Sequence, residues 1–584
     1  MSLEENYRIL DFWEMNTNKK DIYVYAHWLG MPEAKPIGVL SAHQGKGRKS
    51  FSFEYDKGWL QSKEQYLIDP DIGWYSGQQF PAKKDNFGVF MDSMPDTWGR
   101  TLMKRRETIL AKEEDRNPNK LYDIDFLLGV YDEGRMGALR FKTDPKGLFL
   151  DDNQEFPTPH WSSVRELQYG VEVIESDKES NEISKWLAIL MAPGSSLGGA
   201  RPKANILDDN NHPWIAKFPS KNDTIDKALW EYLAYKLAVN CGIEMAESII
   251  QQVAGSSHTF FTKRFDRHHG ERIHFSSAMT MTGNNEDIIK DTSPGYLDLV
   301  EFIQYSGANS EIDLHQLWRR IVFNIAISNT DDHLRNHGFI LKSDGWHLSP
   351  AFDINPSIDK AGLAINIDSE NNALDFDLAL HVGDYFQLTK NQMQQILDEV
   401  LLSVSSWQTV AKSLGISIDD CSKYIKSFKG VPGRLEMHKI KNGASCFIDY
   451  AHNPSSYSAI LTTLRNMTDD LIVVFGCGGE RDATKRPIMG EIASQIADKI
   501  ILTSDNPRSE DPAKIIEDIL AGIQKENIGK ISKEIDREKA IKLACQMSKN
   551  SSIVAILGKG PDEYQQIGSI KYPFSEKAIL KEFK

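Results

Sequence analysis

Cysteine is scarce in this chain: five residues in 584 (Cys241, Cys421, Cys446, Cys477 and Cys545), with no C-x-x-C pair and no Cys/His ligand spacing. That scatter excludes a disulfide framework and a zinc site, and it predicts buried thiols acting as small hydrophobes. Long apolar runs are missing too, so no segment reads as a membrane span. The opening MSLEENYRILDFWEMNTNKK has acidic residues where a signal peptide carries basic ones, and it holds no apolar core. A cytoplasmic protein without membrane contact is expected. Positive charge is also in deficit. The formal net charge of −15 argues against a nucleic-acid coat or an anionic-membrane binder. No G-x-x-x-x-G-K-[ST] phosphate loop occurs, and GKGRKS at 45–50 lacks that spacing and reads as a hairpin turn.

The length exceeds what one core can fill, so three or four domains are the starting expectation. Residues 1–145 alternate short β-like runs (DIYVYAHWLG, SFSFEY, GALRFK) with turn clusters, and hold one basic helical stretch, WGRTLMKRRETILAKEED. They read as a small mixed β domain. A second region, 146–415, opens with an acidic, polar segment to about 190, which is expected to wrap the unit that follows. In this region Leu314, Leu317, Trp318, Ile321, Val322 and Ile325 recur at helical spacing and deliver the chain to Asp331. Leu229, Tyr232, Leu233 and Leu237 mark another helix, with Glu231 off its apolar stripe. From 416 to 584 the pattern becomes α/β. LIVVFGCGGERD, KIILTSDNPRSEDP and SSIVAILGKGPDEY are continuous apolar runs ending in polar loops, separated by helical stretches, one capped by Asp511 and Pro512. That alternation predicts a parallel sheet covered on both faces, with ligands at the carboxyl ends of its strands.

The densest chemistry lies in SNTDDHLRNHGFIL and LSPAFDINPS. Asp331 and Asn336 stand five residues apart and Asp353 follows. A phosphotransferase needs a carboxylate at the acceptor hydroxyl, and an amide and a second carboxylate on magnesium, in this order. A lone D-x-x-x-x-N is usually a turn. Here Asp331 follows a helix, Asn336 precedes the strand GFIL, and Asp353 follows a second strand, so the three can meet at one hairpin mouth. Upstream, Lys217 in the strand-like WIAKFP and Glu231 on the next helix stand in the order of an ion pair that positions nucleotide phosphates. In SSLGGARPK, Gly198 and Gly199 would let backbone N–H groups approach phosphates, with Lys203 as a nearby cation, although Gly-Gly is more often a plain turn.

With these motifs the chain resembles HipA-type toxins, bacterial serine/threonine kinases of toxin–antitoxin systems, over residues 20–415. FMDSMPDTWGR, LLGVYDEGRMGALRF, SSLGGARPK, WIAKFP, KRFDR, NTDDHLRNHGFI and LSPAFDINPS carry the resemblance. It implies an α+β, two-lobed kinase-like fold that uses ATP and Mg2+. Asp331 would be the catalytic base, with His333 and Arg335 completing its loop. Asn336 and Asp353 would be metal ligands, Lys217 the phosphate-binding lysine, and Lys263 to Phe265 neighbours of the adenine hinge. Ser196 either takes an inactivating autophosphorylation, whose charge would repel the nucleotide phosphates, or only caps a turn. Arg201 and Pro202 depart from the family pattern. The implied substrate is an aminoacyl-tRNA synthetase. The implied partner is an antitoxin, through which alone nucleic acid would be met.

Residues 416–584 resemble the third domain of Mur ligases, in particular the MurE family, which adds diaminopimelate to a peptidoglycan precursor. GVPGRLE, FIDYAHNPSS, VVFGCGGERDATKRPIMGEIA, TSDNPRSEDP and GKGPDEYQ carry this resemblance, which implies a Rossmann-like α/β domain. By it, Asp505, Asn506 and Arg508 would contact the amino acid, and Arg434, Gly558 and Asp562 would complete the pocket. An arginine fork clamps a carboxylate, while acidic and amide groups accept from an ammonium. The family's ATP-binding central domain has no counterpart here, so ligation is not expected. The domain either binds an amino acid or a partner, or is a passive appendage, and the abrupt join near SWQTVAKSLGISIDD fits a natural or an engineered fusion. Two further readings stay open: a kinase-like scaffold joined to a diaminopimelate sensor, and a small-molecule kinase.

Overall fold

A computed structural model describes residues 19–45, 48–152, 158–176, 183–191, 199, 201–357, 362–416, 435–560 and 562–583. The chain divides into two units, Met1–Lys423 and Tyr424–Lys584.

Alternation builds the first sheet. In β1 (Lys19–Ala26) Ile22, Val24 and Ala26 face inward and are fully buried. It is joined by β2 (Lys35–Gly45) and β3 (Arg48–Tyr55) into an antiparallel ladder whose last pair before the turn is Gly45 with Arg48. The basic stretch forms α1 (Thr97–Glu113), where Asp96 caps the end by accepting from the Gly99 N–H at 2.9 Å. Strand β4 (Leu139–Lys142) completes the sheet in the order β3-β2-β1-β4.

The acidic, polar segment after 150 packs against the strands that follow it. It holds two helices, α2 (Val164–Glu175) and α3 (Ile183–Met191). Val164, Leu167, Val171 and Ile174 form a stripe that packs with Trp98 and Trp186. The same cluster includes Ile206 of β5 (Lys203–Leu207), Trp214 of β6 (Pro213–Lys217) and Phe261 further on. The segment is thus core-forming. Its carboxylates sit on the outer faces of an ordinary amphipathic pattern.

Next come α4 (Lys227–Asn240), β7 (Ser248–Gln251) and β8 (Thr259–Lys263), which closes an antiparallel sheet in the order β5-β6-β8-β7. Strand β9 (His274–Ser277) and α5 (Tyr296–Ser306) precede α6 (Ser310–Ile327). The six apolar residues expected on α6 are all at most 5% exposed. Strands β10 (Gly338–Lys342) and β11 (Gly345–Leu348) form the expected hairpin, and β10 pairs on its other side with β9. Asn336 enters that hairpin and Asp353 leaves it.

In the second unit β12 (Glu436–Lys439) runs antiparallel to β13 (Ser445–Asp449) at the sheet edge. Helix α8 (Pro454–Arg465), β14 (Leu471–Phe475), α9 (Lys485–Ile496), β15 (Lys499–Leu502), α10 (Pro512–Leu520), β16 (Ile531–Lys533), α11 (Arg537–Met547) and β17 (Ile553–Leu557) then alternate. Helix α7 (Lys390–Ser405) belongs to the first unit. The order is β12-β13-β17-β14-β15-β16, parallel from β13 onward. Both faces are covered. Val473, Phe475 and Leu557 pack on α8, α9 and α10, while Ile472, Val474 and Ile556 pack with Ile541 and Ala544 of α11. Asp511 caps α10 by accepting from the Ala513 N–H, with Pro512 as its first residue. A short hairpin, β18 (Tyr564–Ile567) with β19 (Ile570–Pro573), follows. Cys241, Cys446, Cys477 and Cys545 are buried free thiols, and Cys421 lies outside the described residues. Among the described residues no helix is long and apolar enough to cross a membrane.

Candidate functional site

Lys217 ends β6, a strand hydrogen-bonded on both sides, which fixes where its side chain emerges. Its Nζ lies 2.6 Å from Glu231 Oε1 and 2.7 Å from Asp353 Oδ1. Glu231 stands one turn into α4, whose start is set by the Asp226 side chain accepting from the Leu229 N–H. Burial disfavours the Lys217 ammonium, but the two carboxylates outweigh it and hold its pKa above the ordinary lysine value. For Glu231 burial wins over the attraction of Lys217, and its pKa is raised. For Asp353 burial is overcome by Lys217, and its pKa is lowered. One cation shared by two carboxylates gives this split. The more exposed Asp353, with 29% of its side chain open, is the better solvated and keeps its charge more easily. Apolar Ile215, Met245, Phe260 and Phe352 line a cleft against this triad. A cleft with one apolar wall and a few convergent charges is the usual form of a small-molecule site. Asp353 adopts φ +56°, a left-handed conformation that a non-glycine residue holds only when its surroundings impose it.

Asp331 is exposed after α6, and its backbone carbonyl accepts from Asn336 Nδ2 at 3.2 Å. Asn336 Oδ1 and His333 Nδ1 are buried without a hydrogen-bond partner among the described residues. A buried amide oxygen left unpaired costs stability, so a cation ligand suits it. Arg335 Nε donates to Glu286 at 3.0 Å. Behind this loop, Asp332 accepts from the Tyr296 hydroxyl and from His337 Nε2 at 2.9 Å, contacts that the motif reading passed over.

The glycine element is partly outside the described residues: Ser196 and Gly198 are not described. Gly199 is exposed with φ +103°, beside the Lys203 ammonium. Lys203 itself is engaged. Its Nζ lies 2.7 Å from Asp96 Oδ2, with 1% and 3% of the two side chains exposed. Expected as a cation for phosphates, it has a counter-charge at the start of α1, as a buried lysine requires. Lys263 Nζ sits 3.1 Å from Glu247, and Lys263 is not among the cleft-lining residues. Phe265 packs on Phe352 of the cleft wall, with ring centroids 5.6 Å apart.

In the second unit the loops after β14, β15 and β17 meet. Asn506 Oδ1 accepts from Lys559 Nζ at 2.8 Å and from the Gln566 N–H at 2.9 Å. Asp505 Oδ1 is 3.5 Å from the same ammonium and makes no hydrogen bond among the described residues. Lys559 is fully buried, and burial lowers its pKa despite Asp505. Gly558 has φ +117°, and a Cβ there would fall 2.8 Å from Asp505 Oδ2, so only glycine fits. Arg508, at φ +52°, is pinned by the hairpin: its N–H donates to Gln566 O and its carbonyl accepts from the Gly568 N–H. Its guanidinium donates to Gly479 O. Asp562 is half-buried with a raised pKa, burial being the main cause. Arg434 lies outside the described residues. Of the residues expected at an amino-acid pocket, Asp505 and Asn506 are turned onto Lys559, a residue the sequence did not single out as part of the site, and Gly558 lies against Asp505.

Residues 195–408 match the family model of the HipA-like C-terminal domain, and residues 433–560 match that of the Mur ligase, glutamate ligase domain. UDP-N-acetylmuramoyl-L-alanyl-D-glutamate--2,6-diaminopimelate ligase of Aquifex aeolicus is 49% identical over 170 residues, covering 29% of this chain and 34% of that protein. The ligase of the same name from Lawsonia intracellularis is 42% identical over 184 residues, 31% of this chain and 37% of that protein. The chain thus spans about a third of the length of these curated relatives. Among solved structures, the Shewanella oneidensis toxin–antitoxin complex of HipA, HipB and operator DNA aligns with 69% of this chain and 94% of its own, at 18% identity and a TM-score of 0.46.

Proposed function

This chain joins a HipA-like C-terminal domain to a Mur ligase glutamate ligase domain, and from that premise we propose that its first unit is an ATP- and magnesium-dependent protein serine/threonine kinase. The observation that carries the reading is the triad of buried Lys217 and Glu231 with half-buried Asp353, at 2.6 and 2.7 Å, facing a cleft with apolar walls. In this reading the apolar wall takes the adenine and Lys217 meets the phosphates. Asn336 Oδ1 and the Asp353 carboxylate, both hard oxygen donors, would hold the magnesium, which when bound neutralises charge on the phosphates. Asp331 accepts the proton of the acceptor hydroxyl as it attacks the terminal phosphoryl group, and the bond to the bridging oxygen breaks. Arg335 and His333 flank that step. The acceptor class, a hydroxyl on a protein, follows from the HipA-like resemblance, as do an aminoacyl-tRNA synthetase substrate and an antitoxin partner. Asp331→Asn is expected to abolish labelling of lysate proteins by radiolabelled ATP with an unchanged melting temperature. Labelling at the wild-type rate would refute the assignment.

A second reading concerns the other unit. We infer that it binds an amino acid of the diaminopimelate type without ligating it, since the chain has no phosphate loop of the Walker type. The convergence of Asp505, Asn506 and Arg508 supports this. Calorimetry of the full chain with diaminopimelate is expected to give heat that Arg508→Ala removes, and no heat at millimolar ligand would end the idea.

A further inference from the structure

The catalytic-loop candidates come in two interleaved pairs with the same spacing. Exposed Asp331 and buried Asn336 are joined by a hydrogen bond from Asn336 Nδ2 to the Asp331 carbonyl at 3.2 Å. One residue along each time, Asp332 and His337 are joined underneath at 2.9 Å, each with 3% of its side chain exposed. A carboxylate can only accept here, so His337 Nε2 carries the proton, and Nδ1 is left buried without a partner among the described residues. The Tyr296 hydroxyl, from α5, donates to the same Asp332 oxygen, and its ring meets the His337 ring edge-on at 5.6 Å and 79°. The His337 carbonyl accepts from the Ala278 N–H at 2.9 Å, which ties the end of the loop to the segment after β9.

We propose that the buried Asp332–His337 pair is a positioning clamp, setting the conformation of residues 331–337 so that the Asn336 amide oxygen and the Asp331 carboxylate are presented together. The role rests on the phosphotransfer reading of the first unit. Neither residue of the pair would touch a nucleotide or a metal. The pair acts by closing the loop across the same five-residue span that the functional pair uses. Breaking it frees Asn336 to rotate its unpartnered oxygen away, which loosens a ligand without removing it.

The experiment separates a clamp from a structural contact because Asp332 has two donors with different jobs. His337 lies within the loop, and Tyr296 lies outside it. Manganese(II), followed by its electron paramagnetic resonance signal, is titrated into the full chain with a non-hydrolysable ATP analogue. Asp332→Asn and His337→Gln are each expected to weaken manganese binding by about 10-fold or more, and the double variant to be no weaker than the worse single. Tyr296→Phe removes the outer donor and is expected to lower the melting temperature while leaving the manganese titration unmoved. Unchanged manganese binding in a folded Asp332→Asn or His337→Gln variant overturns the clamp, as does a Tyr296→Phe variant that matches them. Absence of nucleotide-dependent manganese binding in the wild type instead refutes the phosphotransfer reading beneath it.

Discussion

Lys217 shows how far a single residue commits the fold. With two carboxylates within 2.7 Å, its removal leaves like charges facing each other in a part-buried site. Lys217→Met is expected to cost about 3–5 kcal/mol in a urea melt, the usual result of orphaning one side of a buried ion pair. A loss under 1 kcal/mol, of the order seen for exposed pairs, would show that water relieves the charges. His274 makes a different kind of commitment. Its ring lies stacked on Trp28 at 5.7 Å and tilted against Trp346 at 5.6 Å, with neither nitrogen hydrogen-bonded among the described residues. Burial pushes its pKa down to about 4, so it is neutral in the fold, while the unfolded chain takes a proton near 6.5. The folded state therefore binds fewer protons, and stability is full above about pH 6.5 and declines down to about pH 4. The expected loss is about 3 kcal/mol across that window, and His274→Phe should flatten it. A wild-type stability curve with no slope between those values would contradict the assignment.

At the scale of elements, close approach is the governing demand. Gly490 on α9 lies where a Cβ would fall 2.3 Å from the Ile519 carbonyl of α10. Gly490→Ala is expected to force the helices apart at a cost of about 1–3 kcal/mol, read as a lower melting temperature of the second unit. An unchanged melting temperature would mean that the helices can separate freely. Elements with regular periodicity were legible in the sequence: the apolar stripe of α6, the β10–β11 hairpin, and the alternation of apolar strands and helices after 435. What was hidden depended on partners remote in the chain. Lys203 reads as a free cation until Asp96 is placed beside it, and Lys559 reads as part of a glycine turn until Asn506 folds over it. Helices α2 and α3 were obscured differently, because acidic composition masked an apolar stripe that only Trp98 and the β5–β6 face complete. The β10–β11 hairpin that Asn336 enters and Asp353 leaves could be read from spacing alone, since its two strands are neighbours in the chain.

For the whole molecule, each unit owns a core. The large cluster of the first unit and the two sheet faces of the second share no residue. Two units with separate cores are expected to give two transitions in a urea melt followed by circular dichroism, and a single cooperative transition would show that they fold as one. Chemistry divides in the same way. In the proposed reading the first unit carries phosphoryl transfer and the second holds an amino acid, in a chain without a Walker-type phosphate loop. The most direct test of that division is transfer of radiolabelled phosphate from ATP to lysate proteins by the full chain, with magnesium present or chelated, compared with Asp331→Asn. Labelling that needs both the metal and Asp331 is the expected result. Labelling that survives the substitution, or a folded wild type that transfers nothing to any protein, would contradict it.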